Sequence, residues 1–166
     1  MKKYSRIFII VNLVLLLVYF NWSVYQKERT LKNGQLVLFE LAPVDPRSLM
    51  QGDYMQLNYQ QSASELINAQ TATRGYAVLS TDSNHIARII RLQESLQPVN
   101  KGKEFIIKYK IIRSRLFLGA ESFFFEEGQD TLFQKAKYGG LKVDDEGQSL
   151  LIGLYDENLR LLQADK

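Results

Sequence analysis

At 166 residues, with 46% hydrophobic and 23% charged side chains, the chain has room for one domain plus an anchor or tail, and its composition excludes disorder. The absence of cysteine excludes a disulfide scaffold, a thiol nucleophile and thiolate metal sites. Lys2, Lys3 and Arg6 account for the formal charge of +3; the rest of the chain is neutral, so no nucleic-acid footprint is expected.

Residues 1–6 are a short basic tail, and residues 7–25 (IFIIVNLVLLLVYFNWSVY) carry no formal charge. As a helix this run is about 28 Å long, near the hydrocarbon thickness of a bilayer, and a transmembrane anchor is expected. Asn12, Asn21 and Ser23 are its distinctly polar residues, and Trp22 and Tyr25 fit an interfacial aromatic belt. A cleaved signal peptide needs small residues at its cleavage site, and NWSVYQKER lacks the pattern. A buried helix of a soluble domain usually carries a polar stripe, and this run shows none. Lys27, Arg29 and Lys32 after the span balance the three basic residues before it, so charge alone leaves orientation tied. The short basic start resembles a signal anchor, which favours an extracytoplasmic (periplasmic) domain and a single pass through the cytoplasmic membrane.

Residues 26–34 read as a polar tether, and residues 35–166 as the domain. Past Gly34 the pattern shifts to period two with β-branched and aromatic content. Strands are expected at 35–41, 55–59, 75–80, 86–92, 104–113, 117–125, 141–143 and 150–155. Asp82 to Asn84 supply turn chemistry between the third and fourth, and Asp144-Asp145-Glu146-Gly147 forms an acidic turn. Ser62 and Glu65 form a capping box for a short helix, and residues 129–137 have room for another turn or two. Many short strands and few helices indicate a mainly antiparallel β domain, an open sheet or a small barrel with minor α, behind one N-terminal transmembrane helix.

The most unusual stretch is DPRSLMQGDYMQLNY, residues 45–59. Asp45-Pro46-Arg47-Ser48 reads as a turn, with proline presetting φ. Gly52 and Asp53 start a strand on which Asp53, Met55, Leu57 and Tyr59 share one face, while Tyr54, Gln56 and Asn58 share the other. The odd face is expected to enter the core. Residues 52–59 also match GDYxxLxY letter for letter, so the chain resembles the GDYxxLxY-motif family of bacterial membrane-anchored proteins. VDPRSLMQ before the motif and RLFLGAESFFFEEG (residues 115–128) are similar to that family's flanking blocks. The resemblance implies a single-span protein with a non-catalytic domain that accompanies a multi-span integral membrane protein.

Three readings compete. In a binding or assembly module, Asp45, Pro46, Arg47, Gly52, Asp53, Tyr54, Leu57, Tyr59, Arg115, Glu121 and Phe123 build a surface, with Glu121 expected to pair with Arg47 or Arg115 among the aromatics. In a diverged signal-peptidase-like hydrolase, Leu49, Gly52 and Asp53 match the pattern, but Val44 stands where the nucleophilic serine belongs and Lys108 or Lys110 has nothing to activate. A metal or small-ligand sensor has only the lone His85 and the acidic turn to offer. The first reading is preferred: no catalysis, no metal, no cofactor, the bilayer as partner through residues 7–25, and an integral membrane protein as the second partner.

Overall fold

The uncharged run folds as part of one long helix, α1 (Lys2–Asn33). Its Ile7–Asn33 portion is long and apolar enough to span a membrane, and its most apolar window is wholly uncovered by the rest of the protein. The computed structural model describes residues 2–42, 54–60, 66–67, 71–97, 99, 104–113, 115–126 and 128–163. Asp45, Pro46, Arg47, Gly52 and Asp53 lie outside the described residues, as does the Ser62–Glu65 capping box; Tyr54 is described in its backbone alone.

Residues 26–33 are helical rather than a loose tether. Gln, Lys, Glu, Arg and Leu hold helix well, and the apolar run before them has already nucleated it. The helix closes at Gly34, whose amide donates to the Thr30 carbonyl at 2.8 Å.

The strands are β1 (Gln35–Glu40), β2 (Tyr54–Gln56), β3 (Arg74–Thr81), β4 (Ala87–Gln93), β5 (Glu104–Ile112), β6 (Arg115–Phe117), β7 (Ser122–Phe124), β8 (Tyr138–Val143) and β9 (Ser149–Tyr155), with a one-turn helix α2 (Asp130–Phe133) between β7 and β8. All the strands pair antiparallel, in the orders β1-β8-β9, β2-β7 and β4-β3-β5-β6. The β3–β4 turn forms as its residue types require, with Asp82 Oδ1 accepting the amides of Asn84 and Ile86.

Backbone parity shows how the three groups join. On one side of the 54–60 segment, the Leu57 amide donates to the Glu121 carbonyl. On the other side, the Gln60 amide donates to Glu40, and the Asn58 carbonyl accepts from Ala42. The motif strand therefore stands between β7 and the end of β1. Nearer its start, β1 turns the same edge to β4 through the Leu38 amide and the His85 carbonyl. One edge serving two partners splits the sheet and curls it around the core as a half-barrel.

Period-two patterning fills that core: Val37, Phe39 and Leu41 from β1, Ala77 and Leu79 from β3, Ile107 and Tyr109 from β5, and Leu141 and Val143 from β8. One expected strand is not continuous. Residues 117–125 divide at Leu118–Glu121, so that β6 belongs to the four-stranded group and β7 to the motif ribbon. The break lies at Gly119, whose φ of 82° an alanine would resist.

Candidate functional site

The motif strand buries its odd face. Leu57 is 1% exposed and Tyr59 6%, with Met55 beside them, while Gln56, Asn58 and Gln60 face water. Full burial of a leucine side chain contributes about 1.5–3 kcal/mol, so Leu57 belongs to the fold's stability before any function. Tyr59 spans the half-barrel. Its ring centroid lies 5.5 Å from that of Phe39, and it crosses Gly139, where an added Cβ would stand 3.2 Å from the ring. Its hydroxyl donates to the Ala120 carbonyl in the turn after β6. Burial, and then the Glu121 carboxylate, push this phenol well above the ordinary tyrosine range.

That carboxylate holds the turn. Glu121 Oε1 accepts the amides of Leu118 and of Gly119, the latter at 3.0 Å. Two successive amides converging on one oxygen form a small anion nest, which bends the chain out of β6 and into β7. The expected ion pair with Arg115 is not formed. Arg115 is exposed at the start of β6, opposite Ile112, and Glu121 reaches back along its own backbone instead. Phe123 stays close to Phe125 and packs edge-on against Phe133 of α2 at 4.9 Å.

Between the motif strand and β6 runs a groove of about 260 Å³, lined on one wall by Gln56, Asn58 and Gln60 and on the other by Arg115 and Phe117, with Glu121 at its side. Among the described residues, the lining offers one carboxylate, one guanidinium and several carboxamides. Such a set suits an extended polar segment or a small zwitterionic group. Among the described residues, no cluster of three His, Asp or Glu side chains is placed to hold a metal ion.

A second constellation lies at the joint between α1 and the domain. Thr30 is 4% exposed, the buried polar residue of the helix, and its hydroxyl donates to Asp144 Oδ2 at 2.7 Å. Asp144 Oδ1 accepts the amides of Glu146 and Gln148, so one side chain organises the β8–β9 turn and grips the helix. Lys142 Nζ donates to the Gly34 carbonyl at 2.8 Å, a cation at a helix C-terminus where the backbone dipole favours it. Arg29 and Glu146 approach to 3.9 Å in the open, a contact of little weight. Sequence reading placed the acidic turn but not its role. The available signal was a threonine within a charged helix end together with an Asp-x-x-Gly turn, and neither names its distant partner.

A family model described as GDYXXLXY protein matches residues 16–154, most of the chain. The chain belongs to the GDYXXLXY family. No curated protein and no solved structure matches it. The match to the GDYXXLXY model starts within the apolar helix and ends in β9, so it takes in the helix–domain joint as well as the motif strand. Within the eponymous octapeptide, Leu57 and Tyr59 are core residues.

Proposed function

We propose that this protein is a membrane-anchored, extracytoplasmic assembly module of the bacterial cytoplasmic membrane, an accessory subunit of a multi-span integral membrane protein. The observation that carries the reading is the joint. Thr30–Asp144 and Lys142–Gly34 lock the β domain to a helix continuous with the membrane span, so the domain holds a fixed pose over the bilayer. A domain that only needed proximity to the membrane would do as well on a flexible linker. A fixed pose serves docking, because it removes the ordering cost when a neighbour binds. The reading is non-enzymatic; the hydrolase alternative requires a serine where Val44 stands.

Mild-detergent purification of tagged full-length protein from its native membrane, followed by mass spectrometry, tests the proposal. A stoichiometric multi-span companion is the expected result, and a lone monodisperse protein would overturn it. Orientation is tested separately. The chain has no native cysteine, so Asp145→Cys labelled by a membrane-impermeant maleimide in spheroplasts reports the side on which the β8–β9 turn lies.

A further inference from the structure

No broad polar face runs along the span, yet its helical geometry sets a narrow line of polar groups on one side. Asn12, Tyr19 and Gln26 recur at seven-residue spacing, about two turns apart, and Ser23 lies beside them. Asn12 is the informative member. It lies about 8 Å inside the start of the apolar run, within the hydrocarbon, and its carboxamide is exposed on the helix surface. Asn21, on the opposite side, returns its amide to the Leu17 carbonyl at 2.8 Å; Asn12 makes no such side-chain bond among the described residues. A carboxamide facing lipid tails is costly unless another helix satisfies it.

Thr30 indicates what that helix is. It lies about five turns beyond Asn12, hence on the same side of α1, and it is the residue buried against the domain. The β domain therefore overhangs the side of the helix to which Asn12 points, and it begins about 8 Å above Tyr25. A second copy paired through this side would bring its own domain onto the same seam, where the first domain already stands. A helix that ends at the bilayer surface fits beneath.

We infer that the Asn12–Tyr19 side of the span docks a transmembrane helix of a multi-span protein. That helix carries a hydrogen-bonding side chain at the depth of Asn12 and terminates under the β domain. The inference rests on the assembly reading above and names the face that carries it.

Site-specific photocrosslinking in the native membrane tests it, with benzoylphenylalanine replacing Leu16 on the Asn12 side or Val14 on the opposite side of the full-length chain. From Leu16 the expected product is an adduct to a multi-span protein, at least tenfold stronger than from Val14. Asn12→Leu should reduce it about tenfold and Asn12→Gln should largely preserve it, both variants remaining inserted. An adduct at twice the chain's 19.2 kDa would overturn the inference in favour of self-association. Equal yields from both sides, or indifference to Asn12→Leu, would overturn it too. If a companion co-purifies but crosslinks only from Val14, the face is wrong and the assembly reading stands. If none co-purifies and no protein adduct forms from either position, both fall.

Discussion

Of the four turns among the described residues in which one carboxylate oxygen accepts two backbone amides, two put the device to different ends. In the β8–β9 turn and in the 118–121 turn, a single carboxylate oxygen accepts two backbone amides and fixes a sharp reversal. Asp144 then gives its second oxygen to Thr30 and so binds the anchor helix to the sheet. Glu121 makes no second contact of that kind among the described residues, and it borders an open groove. A carboxylate engaged on both oxygens is architecture. One that engages the described residues through a single oxygen, beside a groove, has the capacity to meet a further group with the other.

The largest effect should come from Asp144→Ala. It frees two amides and removes the bond that ties the helix to the turn, leaving the Thr30 hydroxyl only the Gln26 carbonyl of its own helix at 3.2 Å, for a loss of about 2–3 kcal/mol in thermal unfolding of the detergent-solubilised chain. Glu121→Ala removes only local amide bonds and should cost about 1–2 kcal/mol; a cost equal to that of Asp144→Ala would erase the distinction between the turns. If a companion protein is identified, Glu121→Ala should weaken its binding beyond what the stability loss explains.

Tyr59→Phe probes the strut between the turn and the core. Losing the hydroxyl leaves the Ala120 carbonyl unpaired, at about 1–2 kcal/mol near neutral pH. The variant should also change the alkaline response. Burial and Glu121 raise the folded-state pKa of Tyr59, so above about pH 10 the unfolded chain releases this proton while the folded chain keeps it. The unfolded state then binds fewer protons and stability falls as pH rises. A shallower fall for Tyr59→Phe between about pH 10 and 12 is the expected result; Tyr109 and Tyr155, raised by burial, and Lys137, raised by its hydrogen bond to Glu40, add to the fall in both chains.

Thr30→Val keeps the shape and removes the bond to Asp144. About 1 kcal/mol should be lost, and distances between spin labels on cysteines introduced at Glu28 and Glu157 should spread. An unchanged distribution would show that packing alone sets the joint. The smallest effect belongs to Arg29→Ala, whose exposed 3.9 Å contact with Glu146 should leave the melting temperature where it was.

Local pattern carried much of this in advance. Alternation placed Met55, Leu57 and Tyr59 inward and Gln56 and Asn58 outward, because a strand's side-chain period is two wherever it pairs. Asp82 and Asp144 announced their turns, because an aspartate bonding amides two and four residues ahead is a short-range event. The continuous strand expected over 117–125 failed at Gly119. There an apolar run hid a change of sheet, and the Glu121 carboxylate reached back to the preceding amides instead of across to Arg115. The segment after the span looked polar enough for a linker, but its residues also favour helix, and a helix already under way extends at little cost.

By itself the sequence determined a helix long and apolar enough to span a membrane, the mainly antiparallel β class and the inward face of the motif strand. Each follows from hydrophobicity and periodicity over a few neighbouring residues. The tertiary structure alone decided that Thr30 meets Asp144, that Tyr59 reaches Ala120, and that the domain overhangs the Asn12 side of its anchor. Those outcomes join residues 114 and 61 positions apart. They depend on how the sheet curls and where the helix ends, and no local pattern encodes a meeting between groups that the chain brings together only on folding.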